Sequence, residues 1–415
     1  MRILAAIVVP PHLSASGAAR AGLRLSDSLA EYCDITVAAM SNVDLGSGEQ
    51  ARRVTVRSWI PALFRLLPRR YRSLFYKSDI PQIVRRGGYD LVHLHNPMPA
   101  LEMARVARAC IRSGVPYVVS THGFNEIANG NAVYGLGALR RKAWQVCVQR
   151  PVSRVVKHAA GIFALSSADV GIVKAFGFAG KPSIVPNGVE PPSTSNVDAD
   201  RTIYRRFGLP RRDEFPGITC MFLGNHTPNK GVPILLAAFS QLECSYLLIV
   251  GGERRPEIDY DKFTRTGRED QRVVVTGRLS DAEIGALLRR SDLFVFPTLA
   301  DTFPLVVLEA MVQGVPVLAS DVGGISHQLD PSCGELIAPG DPAALCAAIG
   351  KLARDRPRLR AMGASARVRA TTKFTWGAAA AEALRGYERV CPRFSPATPI
   401  VPQRSTSAHF QESQT

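Results

Sequence analysis

Short apolar runs alternate with helical periodicity along almost the whole chain. Ile3–Val9, Ile35–Ala39, Val54–Trp59, Leu91–Leu94, Tyr117–Ser120, Gly161–Leu165 and Ser183–Val185 read as strands, because brief apolar runs between turn formers suit strands covered on both faces. Ala18–Tyr32, Ala100–Ser113 and Leu139–His158 between them read as helices. The alternation breaks at Pro186–Ser195, a run rich in Pro, Asn, Gly and Ser. It then restarts with strands at Thr219–Leu223, Tyr246–Val250, Val273–Val275, Leu293–Phe296 and Val317–Ala319. Helices are predicted at Val232–Gln241, Ala282–Arg290, Phe303–Gln313, Pro342–Ala353 and Arg356–Lys373. This β-α alternation predicts an α/β protein of doubly wound parallel sheets, with ligands at the carboxyl ends of the strands. Two such domains, 1–186 and 206–375, joined by a linker over 187–205, predict a cleft between them. From residue 392 the chain is rich in Pro, Ser, Thr and Gln, and is expected to be a disordered tail to 415. No solenoid-type repeat is present.

Composition agrees with a globular chain: of 415 residues, 46% are hydrophobic and 21% charged. That length suggests two or three domains. No apolar run approaches the ~18 residues of a spanning helix. The N-terminus, Met1 to Pro11, lacks a small-residue cleavage site and reads as a first strand, not a signal peptide. Eight scattered cysteines with no CxxC pair suit neither structural zinc nor a disulfide scaffold. A cytoplasmic protein with reduced thiols is the expectation.

The net charge of +16 is unevenly spread. Residues 1–190 carry 24 Lys and Arg against 11 Asp and Glu, and within them residues 52–88 carry ten basic residues and one acidic, Asp79. Such asymmetry calls for an anionic partner of the N-terminal half.

The stretch Phe296–Gly324 holds the densest chemistry. A strand ends at Pro297, and the helix predicted from Phe303 presents unpaired amides and a positive dipole end, where phosphate binds well. Asp301 precedes that helix and Glu309 lies two turns inside it, so the eight-residue gap keeps both near one face. Asp301 as an N-cap and Glu309 as a solvated helix residue are the plain alternatives. Glu309, however, sits among Leu305, Val306, Val307, Leu308, Ala310 and Met311, where a lone carboxylate is costly unless used. Gly323 and Gly324 follow the next strand and permit close backbone approach to an anion.

This stretch resembles the E-x7-E signature region of the retaining glycosyltransferases of family 4, with Asp in the first acidic place. The resemblance runs on through Phe222–Phe239, Val185–Glu190, Asp90–Asn96, Ser120–Gly123 and Gly334–Asp341, in the family's order and spacing, up to about residue 390. Each motif is weak alone and the ordered set is specific. The resemblance implies the GT-B fold, two Rossmann-like domains facing across a cleft. It also implies a C-terminal helix, 376–391, returning to the N-terminal domain.

By the same resemblance the donor is a UDP- or GDP-linked sugar held mainly by the C-terminal domain, and no cofactor or metal is implied. Lys230 matches the family's diphosphate-binding lysine, and Asn225 stands where the family has arginine. Asp301 would lie beside the transferred sugar, Glu309 at the ribose hydroxyls, and the amides of Thr302, Phe303, Pro304 and Leu305 near sugar and phosphates. Arg278 and Leu279 match a segment at the base, and Gly17 a glycine loop near donor phosphate and acceptor. His122 matches an active-site histidine. His93 and His95 alternate to one strand face. His95, at the carboxyl end, is the acceptor-side candidate with Asn96 and Asn187, and His93 is read as structural.

The implied reaction is retaining transfer by front-face attack on an oxocarbenium-like sugar. Lys230, helix-terminal amides and Gly323–Gly324 would stabilise charge on the leaving diphosphate, which takes the acceptor's proton. Arginines interleaved with aromatics and leucines over 52–88 suit an anionic membrane interface. Trp59, Phe64, Arg65, Arg69, Arg70 and Arg72 are the membrane-facing candidates, and Arg140–Lys142 with Trp144 adds a second basic helix. A pair of solvated helices is the alternative for both. The expectation is a peripheral enzyme at the inner membrane face, acting on a polysaccharide or lipid-linked glycan. No nucleic-acid-binding signature accompanies the charge. Two other readings stay open: a catalytically weak homologue serving as a membrane-associated assembly partner, which Asn225 and Asp301 keep open and Lys230, His122 and Glu309 count against, and a nucleotide-sugar epimerase of the same fold.

Overall fold

The computed structural model describes residues 1–13, 16–40, 50–96, 98–192, 197–212, 214–264 and 268–392. The segment read as a tail thus lies, from residue 393, outside the described residues. The N-terminal domain contains the strands β1 (Arg2–Ile7), β2 (Asp34–Ala39), β3 (Arg52–Val54), β4 (Ser58–Trp59), β5 (Lys77–Ser78), β6 (Leu91–His95), β7 (Tyr117–Ser120), β8 (Gly161–Ala164) and β9 (Ser183–Ile184). Seven of them form a parallel sheet in the order β3-β2-β1-β6-β7-β8-β9, while β4 and β5 pair antiparallel as a separate ribbon. The C-terminal domain holds β10 (Ile218–Leu223), β11 (Tyr246–Gly251), β12 (Gln271–Gly277), β13 (Leu293–Phe296), β14 (Val317–Ser320) and β15 (Gly334–Ile337). They form a six-stranded parallel sheet, ordered β12-β11-β10-β13-β14-β15.

Helices cover both faces of each sheet, which is why every residue of β6, β10 and β11 is buried and why the strands read as unbroken apolar runs. In each sheet the winding reverses beside the first strand of the domain, between β1 and β6 and between β10 and β13. A crevice opens at the carboxyl ends there. Both crevices face the interdomain cleft, where the segments after β7, β10 and β13 meet.

Three predicted elements differ. The strand expected over Val54–Trp59 is split, since β3 ends at Val54 and β4 turns away to pair with β5. Residues read as part of the linker fold as the helix Val197–Arg206, which docks on the C-terminal domain. Arg289 pairs with its Asp200 at 2.7 Å and the Tyr204 hydroxyl donates to the Ala286 carbonyl at 3.0 Å. The third is the helix Phe124–Tyr134, in a Gly- and Asn-rich stretch with no predicted element. Gly130 lets it pack tightly on Trp144, because a Cβ there would stand 2.8 Å from the indole ring.

The helix Trp376–Val390 lies on the N-terminal domain, where Ala379, Ala380, Ala383, Leu384 and Tyr387 join a core with Ile3, Ile7, Leu23, Val118 and Phe163. The chain therefore crosses between the domains twice, and the crossings touch. Val189 N–H donates to the Phe374 carbonyl at 2.8 Å, and a Cβ on Gly188 would stand 2.4 Å from the Trp376 nitrogen. Among the described residues no helix is long and apolar enough to cross a membrane.

Candidate active site in the interdomain cleft

The C-terminal wall starts with the turn after β10. Pro228–Lys230 forms one 3-10 turn, and Gly231 at φ 72° closes it against the Pro297 carbonyl. A Cβ on Gly231 would stand 1.9 Å from that oxygen, so the Lys230 turn and the start of the Asp301 loop are fixed together. Lys230 Nζ reaches Asp301 Oδ2 at 2.5 Å and lies 5.7 Å from the centre of the Phe296 ring. Burial disfavours the ammonium, but the Asp301 and Glu126 carboxylates outweigh that and raise its pKa. Asp301 Oδ1 accepts from the Thr302 amide at 2.9 Å. Lys230 and Asp301 are thus held as a pair before any ligand arrives.

The helix after this loop starts at Leu305, not Phe303, with Pro304 at its N-cap. Residues 301–304 are therefore loop, and they are used unequally. Phe303 is buried against His327 and Phe374, away from the cleft. The Thr302 amide is engaged by Asp301, whereas Leu305 faces the first turn of the helix Gly17–Leu29, 3.9 Å from where a Gly17 Cβ would be. Gly323 and Gly324 serve this loop. Gly323, at φ 56°, packs on the Asp301 carbonyl, and the Gly324 amide donates to the Thr302 carbonyl at 2.7 Å. The Gly324 amide read as open to an anion is therefore spent on holding Asp301 in place.

Glu309 is carried one turn into that helix and points across the cleft. Arg20 of the N-terminal domain approaches it at 3.6 Å and pairs with Asp281 at 3.3 Å. Burial raises the Glu309 pKa, Arg20 opposes this, and Asp281 adds to it. Arg278 is exposed and paired with Glu253 at 3.0 Å, while Leu279 is half-buried against Gly251. Asn225 is exposed on the loop after β10.

On the N-terminal wall His122 follows β7 and is 4% exposed, its pKa lowered to about 4 by burial. Its ring stacks on His95 at 5.9 Å, and His95 lies on His93 at 3.8 Å. His93 binds the Tyr387 hydroxyl at 2.7 Å and Ser120 Oγ at 2.8 Å, so it is a fully partnered interior group. His95 is completely buried between its two neighbours and Gly22, and among the described residues neither ring nitrogen is bonded. An acceptor cannot reach it from the cleft. Strand alternation shows which face a side chain takes and not how deep it lies. Asn96, at φ 69°, spends its amide on the Val8 and Met98 carbonyls, and Asn187 donates to the Phe303 carbonyl. Both shape loops instead of presenting an acceptor site.

Four groups complete the cleft that were not singled out as site residues: Arg20, Asn125 and Glu126, which lie outside the motifs, and Asn229, which lies inside the Phe222–Phe239 motif. Asn125 Nδ2 donates across the cleft to the Asp301 carbonyl at 2.8 Å. Asn229 Nδ2 donates the other way, to Glu126 Oε1, at 2.8 Å. Burial pushes the Glu126 carboxyl up to about 7, with Lys230 opposing and Asp301 adding to the shift. Glu126 lies in the first turn of its helix, where an acid is ordinary dipole compensation. Arg20 sits on an amphipathic helix. Neither position carries a signal of its own.

Between β4 and β5 the basic segment forms only short helical turns, because Pro61 and Pro68 interrupt it, and its one longer helix, Ile80–Arg86, buries Ile80, Pro81 and Val84. Phe64 stacks on Phe75 at 4.0 Å, and Arg65 and Arg72 donate to the Ile60 and Leu67 carbonyls. The side chains of Arg69 and Arg70 lie outside what is described. Within this segment the most exposed apolar groups are Leu66 and Leu63, 91% and 78% exposed, and Trp59 is 39% exposed.

Comparison with known proteins covers both domains. A family model described as Glycosyltransferase Family 4 matches residues 15–192, and one described as Glycosyl transferases group 1 matches 217–355. The chain is 31% identical over 317 residues to the phosphatidyl-myo-inositol mannosyltransferase of Mycobacterium leprae, covering 73% of this chain and 74% of that protein. In fold it is similar to sucrose-phosphate synthase from Thermosynechococcus elongatus, with a TM-score of 0.71 at 19% identity, over 94% of this chain and 99% of that one. It is equally similar to Anabaena HepE in complex with UDP and glucose, with a TM-score of 0.71 at 18% identity and the same coverage.

Proposed function

Because this chain belongs to the group 1, family 4 glycosyltransferases and has their two-domain GT-B fold, we propose that it moves a sugar, with retention, from a nucleotide-sugar donor to a glycan or lipid-linked acceptor. The observation that carries this reading is the pair that Lys230 after β10 forms with Asp301 after β13, with Glu126 of the facing domain bonded to the same turn through Asn229 and Glu309 one turn into the next helix. A diphosphate beside Lys230 would meet a cation in a half-buried setting, where a charge-assisted bond is strongest. Glu309 would exchange Arg20 for the ribose hydroxyls. Asp301 and His122 would border the sugar, and the acceptor would enter on the same face as the departing phosphate. That phosphate takes the acceptor's proton, so no covalent protein nucleophile is required. The mannosyl donor class of the mycobacterial relative and the UDP and glucose bound by HepE support a hexose on UDP or GDP. The exposed Trp59, Leu63 and Leu66 amid arginines support docking on an anionic membrane where lipid-linked acceptors reside.

The test is a panel of UDP-, GDP- and ADP-sugars, with and without EDTA, read as donor binding and hydrolysis. Saturable binding of one donor, insensitive to EDTA, is the expected result. Glu309→Ala should then raise that donor's Kd roughly 10–100-fold, the range for losing hydrogen bonds to a charged group. Failure of every donor to bind would move the assignment to the assembly-partner reading. A donor converted to its epimer without transfer would move it to the epimerase.

A further inference from the structure

We propose that Glu126 binds donor as a neutral acid: it takes up a proton from solvent when a nucleoside diphosphate enters beside Lys230, and donates that proton in a hydrogen bond to a phosphate oxygen. This rests on the donor reading above and adds a ligand group that the sequence motifs do not include.

The charges in the cleft require some such device. Glu126, Asp301 and Lys230 converge on one half-buried spot, two carboxylates against one ammonium. Asn225 supplies no second cation there. An entering diphosphate adds further negative charge, and like charges this close in a weakly solvated site cannot all remain ionised. Asp301 is the poorer candidate to give way, since it holds both the Lys230 ammonium and the Thr302 amide. Among the described residues Glu126 has only the Asn229 amide on Oε1, and an amide serves a protonated carboxyl's carbonyl oxygen equally well. Its second oxygen, Oε2, is free to carry the proton.

Among the described residues, the elements around Glu126 bring few other titratable groups, and the buried carboxyl shifted furthest after it is Asp169, which burial pushes up to about 6. On its own helix Glu126 has Tyr134, whose pKa burial raises, the nearby carboxylate adding to the shift. The turn after β10 contributes Lys230, and the loop after β13 contributes Asp301. The helix Ala168–Ala175 brings Asp169, which is buried and bonded to Thr121 Oγ1 and the Leu165 amide. The segment Gln145–Gln149 contributes the neutral Gln149, donating to the Ile127 carbonyl. His122 is uncharged near neutrality. Burial already brings Glu126 to about 7 in the empty cleft, and added phosphate charge moves it further up.

The sign follows directly. A ligand that prefers the protonated carboxyl binds best below about pH 7, and weakens as pH rises through and above that value. The probe is UDP, then GDP and ADP, titrated calorimetrically into the full chain between pH 7.5 and 8.5, where the phosphates are already ionised, in two buffers of different ionisation enthalpy. Expected is an uptake approaching one proton per nucleotide at the upper end, with Kd rising up to about tenfold over that unit. Glu126→Gln, an isostere that still accepts from Asn229, should bind nucleotide with neither proton uptake nor pH dependence. Binding without proton uptake, or uptake unchanged in Glu126→Gln, overturns this inference alone. No binding of UDP, GDP or ADP overturns the donor reading, and this one with it.

Discussion

Lys230→Ala is expected to lower donor turnover about 10²–10³-fold, the usual cost of removing one preorganised group from a developing oxyanion. Lys230 is the cation common to Asp301, to Glu126 and to an incoming diphosphate. Its loss leaves two carboxylates facing a phosphate with nothing between them. Both donor affinity and the chemical step should suffer, so kcat should fall as well as KM rise. A lysine that served only the fold would give a different pattern, a lower melting temperature with kcat per folded molecule preserved. Steady-state donor hydrolysis with a melting curve on the same sample separates the two.

Gly323→Ala is the second large effect, and it is expected in stability. The residue stands at φ 56°, where an L side chain costs ~1–2 kcal/mol. A Cβ would also stand 1.9 Å from the Asp301 carbonyl and 2.9 Å from Asn125 Nδ2. Overpacking of this kind costs typically ~1–3 kcal/mol. The sum, about 2–5 kcal/mol, should lower the melting temperature by roughly 5–15 °C, and moving Asp301 should abolish turnover with it. A glycine that only gave an anion room to approach would lose binding at unchanged melting temperature. Differential scanning calorimetry with a donor-binding titration decides.

How far the sequence displays this molecule depends on what each residue's neighbours along the chain can reveal. The two sheets are legible because parallel strands buried on both faces leave unbroken apolar runs. The helix Phe124–Tyr134 is not, since its stability comes from Trp144 packing over Gly130, a contact between distant positions. The C-terminal wall is legible as motifs because Lys230, Asp301 and Glu309 are placed by single turns and one short helix. Glu126 and Arg20 escaped because an acid in a first turn and an arginine on an amphipathic helix are commonplace, and only the facing domain gives them chemistry. His95 and Asn187 lie at element ends, where candidates are expected, yet burial and the Phe303 carbonyl commit them to the interior.

The double crossing at Val189 and Phe374 has a consequence for how such chains can recombine. Exchanging the whole C-terminal half at the linker, as a single genetic crossover would, carries Trp376–Val390 with it. Ala379, Ala380, Ala383, Leu384 and Tyr387 would then have to fit the interior of a foreign acceptor domain. The C-terminal unit that can be traded intact is the piece between about residues 187 and 375, bounded by two junctions that lie against each other. New pairings of the two domains on this scaffold therefore arise more readily by insertion of a middle segment than by joining a head to a tail.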